Sequence, residues 1–119
     1  MLASLLRTGL LLATMMLASL FAAVTVAPDA SSPIVDQARV LEASQRERMT
    51  ALIAQLRSRH LAQLGVITVA STQGEDFFAF VQRHAELWKL GESGKDNGVL
   101  VVVAVQDHEV RIQTGYGME

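Results

Sequence analysis

A loop rich in glycine and polar residues carries the side chains best suited to chemistry in this chain of 119 residues. It runs from Gly91 to Gly98, and within it Asp96 and Asn97 place a carboxylate and an amide oxygen beside glycines. Glycine lets the backbone turn sharply and approach a ligand closely. Calcium accepts shells of roughly six to eight oxygen ligands, so Asp96 is the first candidate for a metal ligand. A plain Asp-Asn-Gly turn is the alternative interpretation.

Other patterns of catalytic residues do not fit the sequence. The loop lacks the glycine gap of a phosphate-binding P-loop, and Lys95 is not followed by Ser or Thr. Ser93 lacks the glycine spacing of a nucleophile elbow, and the chain has no cysteine. The histidines, His60, His84 and His108, do not form the i, i+4 pair of a zinc protease. The sequence therefore indicates neither a zinc site nor a serine or cysteine nucleophile.

The elements that must position the loop follow from the pattern of apolar residues. Residues 99–105 are mostly β-branched and predict a buried strand, and residues 64–70 predict another. The segment between them predicts a helix whose apolar face packs on the sheet. A helical crossover normally joins parallel strands, so this order predicts an α/β fold. Residues 110–114 alternate apolar and polar side chains and predict a strand antiparallel to the one before it.

Two helices are expected to cover this sheet. Apolar residues recur at helical spacing within residues 45–59, and Ser44 followed by Glu47 has the spacing of a capping box. The second helix carries an aromatic and apolar face that we expect in the core rather than at a ligand, with His84 as a structural histidine at its edge. The members of that face are Phe77, Phe80, Val81, His84, Ala85 and Trp88.

Residues 1–27 have the pattern of a secretory leader. Arg7 supplies a positive charge near the amino terminus, and residues 9–26 are uncharged and rich in Leu, Ala and Met. About 20 apolar residues can also span a bilayer, so the segment is either a cleaved signal peptide or an uncleaved membrane anchor. Thr25-Val26-Ala27 offers small residues at the offsets of a cleavage site, and Ala23-Val24-Thr25 is a weaker option. We expect an exported protein, periplasmic or membrane-anchored with its domain outside the cytoplasm.

The rest of the chain is long enough for one domain. Residues 28–33 contain Pro, Asp, Ala and Ser and are interpreted as a linker, and residues 34–119 as the domain. The formal net charge of -2 leaves no basic footprint for nucleic acid, which excludes that class of partner.

Several of these blocks, in this order, resemble the TPM domain, a family that includes a thylakoid-lumen acid phosphatase and photosystem II repair proteins. Residues 35–41 are similar to the opening of that domain, and residues 64–71 resemble its first core strand. The later matching blocks are Trp88, Leu90-Gly91, Gly94-Lys95-Asp96-Asn97-Gly98, Val110-Arg111-Ile112-Gln113-Thr114-Gly115-Tyr116-Gly117 and a final Glu119. The resemblance spans about residues 34–119 and implies a mixed sheet with helices on both faces, a three-layer sandwich. It also implies that the sandwich is incomplete at the carboxyl terminus, because the family's domain normally continues into a further acidic loop and helices.

The resemblance implies a site and a function as well. In TPM domains calcium is associated with acidic loop residues at one end of the sheet, and the matching positions here are Asp96, Asp36 and Glu119. The implied function is an exported, calcium-tuned interaction or maturation module for membrane-associated protein complexes. One alternative is a metal-dependent acid phosphatase, in which Asp96 binds the metal and Lys95 contacts the phosphate. The other is a non-functional fragment of a TPM domain, so enzyme status stays open and no catalytic residue is assigned.

Overall fold

The computed structural model describes residues 23–118, and within them four strands form one sheet in the order β1-β2-β3-β4. The strands are β1 (Ile34–Asp36), β2 (Gln63–Val69), β3 (Gly98–Ala104) and β4 (Glu109–Thr114). The first three strands are parallel, and β4 pairs antiparallel with β3. Helix α1 (Ala43–Ser58) connects β1 to β2, helix α2 (Phe77–Trp88) connects β2 to β3, and a turn of 3-10 helix (Tyr116–Met118) follows β4. The predicted α/β fold with a mixed sheet is confirmed.

Each helix covers a different face of the sheet. Along β2 and β3 successive side chains point to opposite faces, and both sets are largely buried, which explains the unbroken apolar runs. Helix α2 buries Phe80, Val81 and Trp88 against one face, whereas α1 places Ile53 against Ile34 on the other. The predicted sandwich with helices on both faces is therefore confirmed. Because both crossovers step in the same direction across the sheet but over opposite faces, they have opposite hands.

The helix starts differ from the predicted capping. The predicted capping box of Ser44 and Glu47 is wrong, because α1 already begins at Ala43. The residue before the helix is Glu42, whose backbone N–H donates to Gln45 Oε1 at 3.0 Å. Both pairs have the same spacing of three residues, so local sequence does not separate them. In α2 the cap is Asp76, whose Oδ2 accepts a hydrogen bond from the backbone N–H of Ala79 at 3.0 Å.

The amino-terminal part of the described chain is packed against the domain. Val26 is buried in the cluster that α2 forms with the sheet, so the folded unit begins upstream of the predicted boundary at residue 34. Residues 28–33 form a turn in which the backbone N–H of Ser31 donates to Asp29 Oδ1 at 2.8 Å. Most of the predicted leader, residues 1–22, lies outside the described residues. No helix among residues 23–118 is both long and apolar enough to cross a membrane.

Candidate functional site

The Asp96 loop lies at the amino-terminal end of β3 and is closed by the turn that follows β4. Asp96 has a left-handed backbone conformation, with φ of 48°, and its carbonyl oxygen accepts a hydrogen bond from the N–H of Gly117 at 3.0 Å. The N–H of Gly115 donates to the Gly98 carbonyl at 2.9 Å. A Cβ atom at Gly115 or Gly117 would overlap the carbonyl oxygens of Asp96 and Lys95 respectively. The Gly-Tyr-Gly motif thus lets the turn dock directly on the backbone of the acidic loop.

Charged side chains surround this loop. Glu92 accepts a hydrogen bond from His60 Nδ1 at 2.8 Å and pairs with Lys95 Nζ at 3.1 Å. The contact with His60 and then that with Lys95 hold the pKa of Glu92 below its usual value. Lys95, which the phosphatase interpretation places against a phosphate, is therefore paired with a carboxylate of its own loop. Because His60 and Lys95 are exposed, both pairs contribute little to stability.

Asn97 holds the loop together. Its side chain is 4% exposed, and Oδ1 accepts a hydrogen bond from the Glu92 N–H at 2.8 Å. Its backbone carbonyl accepts from the N–H of Gln63, which ties the loop to the start of β2. The amide oxygen of Asn97, which the sequence suggested as a candidate cation ligand, thus already accepts a hydrogen bond within the loop. Asn97 Nδ2 is buried and has no hydrogen-bond partner among the described residues.

A small cavity of about 170 Å³ opens beside Asp96. Residues Gln113 and Thr114 from the end of β4 line it together with Asp96. Ala85 and Leu90 form apolar parts of its wall. Gln113 and Thr114 are successive strand residues whose side chains point to opposite faces, and Gln113 Oε1 already accepts a hydrogen bond from Arg111 Nε at 3.3 Å.

Asp36 has a structural role at the end of β1. Its Oδ1 accepts hydrogen bonds from the Val40 N–H at 3.1 Å and from the Thr68 hydroxyl at 2.5 Å, and its Oδ2 accepts from the Leu41 N–H at 3.0 Å. Burial acts to raise the pKa of Asp36, but the hydrogen bonds from Thr68, Leu41 and Val40 outweigh it and lower the pKa. These bonds fix the turn that leads into α1 and fasten β1 to β2.

The sheet places Asp36 and Asp96 at opposite ends. Asp36 aligns with Thr68 and, through β2, with Val103 near the carboxyl end of β3, whereas Asp96 precedes Gly98 at its amino end. Five residue steps separate Gly98 from Val103, or roughly 17 Å at about 3.3 Å per residue. The two carboxylates therefore cannot share one ion in this fold. Metal binding at Asp96 stays a prediction.

The third predicted ligand, Glu119, lies outside the described residues. Among residues 23–118, no group of three or more His, Cys, Asp or Glu side chains is arranged to hold a metal ion. A cation at Asp96 would thus depend on neutral oxygens and water for most of its shell.

Asp107 was missed by sequence reasoning, which treated it as part of a polar connection. Its Oδ2 accepts a hydrogen bond from the Thr72 N–H at 2.9 Å, and its Oδ1 accepts from the Ser71 hydroxyl at 3.0 Å. The Thr72 amide first, and then the Ser71 hydroxyl, lower the pKa of Asp107. Its partners lie about 35 positions away in the chain, so no local sequence pattern could predict these hydrogen bonds. Asp107 joins the β3–β4 turn to the loop before α2.

A larger cavity of about 290 Å³ lies between residues 28–33, α1 and the start of β2. Apolar side chains line much of it, among them Ile53, Leu64 and Trp88, and Arg57 supplies a cation. It opens where the three-residue strand β1 leaves the first residues of β2 without a neighbour.

Comparisons with known proteins agree with this architecture. The N-terminal domain of a protein from P. gingivalis has a TM-score of 0.68 and 32% sequence identity, over 76% of this chain and 59% of that chain. The N-terminal domain of the cg2496 protein from Corynebacterium glutamicum has a TM-score of 0.60 and 16% identity, over 82% of this chain and 64% of that chain, a likeness that shows the fold alone. The chain thus spans less than two thirds of the length of either structure.

No curated protein matches the chain. The model of one protein family, described as the TPM domain, matches residues 34–119. These residues comprise all four strands and both helices described above. The chain therefore belongs to the TPM domain family.

Proposed function

We propose that this chain is an exported interaction module in which the Asp96 loop responds to calcium. The observation that carries the proposal is the docking of the Tyr116–Met118 turn on the backbone of Lys95 and Asp96. A cation bound by the Asp96 carboxylate would act on a loop that directly supports this turn. The turn presents Tyr116, which is 84% exposed, to the surroundings.

The exposed turn has the composition of a contact surface. Tyrosine and methionine are enriched in protein interfaces, and Met118 is 41% exposed beside Tyr116. We infer that a protein of a membrane-associated complex is the partner, with calcium setting the position of the turn. The phosphatase alternative gains no support, because Lys95 is paired with Glu92 instead of facing the cavity as a free cation.

The experiment uses the single tyrosine of the chain as a probe. Incorporation of 3-fluorotyrosine gives one ¹⁹F resonance from Tyr116, which is recorded during a calcium titration of the full chain. We expect a saturable shift of the resonance. At about a hundredfold excess over Kd, calcium should also stabilise the fold by roughly 2.7 kcal/mol. Magnesium, a smaller ion that demands stricter geometry, should have a weaker effect.

Two variants make the calcium test specific. Asp96→Asn should remove most of the resonance shift and of the stabilisation. Glu86→Gln, which removes an exposed carboxylate on α2, should leave both unchanged. The calcium hypothesis fails if the wild-type protein shows no saturable shift of the resonance, or if Asp96→Asn shows the same shift as the wild type. The loop is then interpreted as a plain turn.

Export is supported by the leader pattern of residues 1–27 and is tested separately. Deletion of residues 1–22 should retain the protein in the cytoplasm of a bacterial host, whereas the full chain should reach the periplasmic or membrane fraction. A full chain that stays in the cytoplasmic fraction would contradict export without affecting the calcium test.

A further inference from the structure

Residues 24–26, here called the amino-terminal strap, lie against helix α2. Val26 is 4% exposed and belongs to the same buried cluster as Phe80 and Trp88, and Val24 packs at the edge of that cluster. The apolar end of the leader-like segment is thus also a part of the domain core. Burying the valine side chain removes its apolar surface from water and so stabilises the fold. Losing this contribution matters in a small domain, whose core is marginal.

Both backbone polar groups of Val26 are bonded to side chains of α2. Its N–H donates to His84 Nε2 at 3.0 Å, and its carbonyl oxygen accepts from Trp88 Nε1 at 2.9 Å. His84 and Trp88 are buried, with exposed fractions of 0% and 7%. Without Val26, each side chain would keep a polar ring atom in the interior with no partner in the strap.

A third side chain of α2 holds the preceding residues of the strap. Arg83 Nη2 donates to the Val24 carbonyl at 2.6 Å, and Nη1 donates to Thr25 Oγ1 at 2.8 Å. Glu75 orients this guanidinium through hydrogen bonds of 3.0 and 3.3 Å to Nη2 and Nε. Three successive residues of the strap are therefore fixed by three side chains of one helix.

These contacts conflict with both cleavage patterns in the sequence. Cleavage after Ala27 would remove the whole strap and leave His84 and Trp88 without their partners. Cleavage after Thr25 would make Val26 the first residue and place a charged amino group against the buried imidazole of His84. Burying a charge without a counter-charge is costly. Either product would lack interactions that complete the core.

We propose that the amino-terminal strap is a permanent part of the folded domain, and that any processing of the exported chain takes place upstream of Val24. The second half of this proposal rests on the export proposed above, and the first half does not. The most carboxyl-terminal bond that a processing protease can cut without removing part of the strap is therefore the bond between Ala23 and Val24. An uncleaved leader would hold the domain at the membrane directly through the strap.

The location of processing is tested on the full chain expressed with its leader in a bacterial host. The exported protein is purified in mild detergent, and its intact mass and amino-terminal sequence are determined. We expect the chain to begin at Val24 or at an earlier residue, including Met1. A chain that begins at Thr25 or later, above all at Pro28, would overturn the proposal.

The integral role of the strap is tested by thermal unfolding of the full chain, whether or not it is exported. Val26→Ala removes buried methyl groups and should lower Tm by about 5 °C or more. Ala27→Ser alters the next residue, which is exposed, and should change Tm by no more than about 2 °C. Equal values of Tm for the two variants would show that the amino-terminal strap is not an integral part of the folded domain. A failure of export, with the expected difference in Tm, would contradict only the proposed function.

Discussion

The backbone N–H of Val26 donates a hydrogen bond to Nε2 of His84, a residue 58 positions later in the chain. An amide N–H can only donate, so Nε2 must carry a lone pair and the proton of the neutral imidazole must lie on Nδ1. That nitrogen is 2.8 Å from the Phe80 carbonyl oxygen, which accepts the proton. The fold thus fixes both the neutral state and the tautomer of His84. A second proton on His84 would occupy Nε2, which could then no longer accept the hydrogen bond from the Val26 N–H.

The first prediction is a loss of stability in mild acid. Burial lowers the pKa of His84 from the ordinary value of 6.5, opposed in part by the Phe80 carbonyl, with Arg83 lowering and Glu75 raising it. Above about pH 6.5 both the folded and the unfolded chain are neutral at this site, and its contribution is fully present. As the pH falls below that value, the unfolded state binds the proton first, so the free energy of unfolding decreases until the lower folded-state pKa is reached.

Thermal unfolding between about pH 8 and 5 checks this prediction. His84→Phe should lower Tm at every pH, because the strap loses a hydrogen bond, but it should flatten the dependence of Tm on pH in this range. His108→Gln removes an exposed histidine and should retain the wild-type slope. An unchanged slope in His84→Phe would show that another group causes the loss.

The second prediction concerns Trp88, which the sequence placed in the core and which is 7% exposed. Trp88→Ala should cost roughly 3 to 5 kcal/mol of unfolding free energy. Trp88→Phe keeps most of the packing but leaves the Val26 carbonyl without its donor, so it should cost roughly 1 to 3 kcal/mol. Leu87→Ala, at a neighbouring position that is 43% exposed, should cost less than either. Denaturant unfolding ranks the three, and an unchanged midpoint for Trp88→Ala would contradict the core assignment.

Much of this fold was predictable because its signals are local. The bounds of β2 and β3 lie within one residue of the apolar runs that predicted them, since a strand buried on both faces is apolar along most of its length. The bounds of β4 lie within one residue of the alternating segment that predicted it. Strand β1 has only three residues, too few for any periodicity, and it was not predicted as a strand. Its place in the sheet depends on pairing with residues about 30 positions later.

The candidate site was harder to predict because its geometry is set by distant parts of the chain. Asp36 ends β1 and Asp96 lies just before β3, but only the parallel register shows that the two residues lie at opposite ends of the sheet. The alternation in β4 correctly indicated two faces without showing which one a helix covers. Arg111 faces α2 and lies 4.6 Å from the ring centroid of Phe78, while Ile112 is 62% exposed.

The third prediction separates the roles of the two carboxylates. Asp36→Ala removes the acceptor of three hydrogen bonds and should cost roughly 2 to 3 kcal/mol at neutral pH. Because the pKa of Asp36 is lowered in the fold, its contribution is present above the ordinary value of 3.8 and is lost as the pH falls through the lower folded-state value. The difference in stability between wild type and variant should therefore shrink in strong acid.

Calcium titration of the same variant supplies the second readout. The stabilisation by calcium should match that of the wild type, since Asp36 lies at the other end of the sheet from Asp96. A loss of the calcium response in Asp36→Ala, with the folded state retained, would show that the two ends are coupled and that the assignment to Asp96 alone is wrong.

The fourth prediction concerns the docked turn after β4. Gly117→Ala places a Cβ against the Lys95 carbonyl oxygen and should displace the turn, which shifts the ¹⁹F resonance of Tyr116 without calcium. Gly94→Ala costs backbone strain at a φ of 81° but meets no atom within 4 Å, so it should lower stability by about 1 kcal/mol and leave the resonance in place. Identical spectra for both variants would contradict the docking.

The last prediction follows from the outer strand of the sheet. Among residues 23–118, strand β4 lies at the edge of the sheet, and Val110 and Ile112 are 66% and 62% exposed on the face opposite α2. An apolar pair on an unpaired strand edge favours contact with other chains. We expect self-association of the domain that increases with concentration and that sedimentation velocity detects.

A charge on this strand should suppress that association. Ile112→Lys places an ammonium group beside the open edge, and because the side chain is already exposed, the free energy of unfolding should change by less than about 1 kcal/mol. Leu52→Lys is the matched control, since Leu52 is 60% exposed on α1 and far from the edge in sequence, and it should leave association unchanged. If both variants sediment as the wild type does, β4 is not the surface through which the chains meet. If both reduce association equally, the effect is not specific to the strand edge, because the two substitutions add the same charge at different places. Net charge alone would act in the other direction, since an added lysine brings the formal charge of -2 closer to zero.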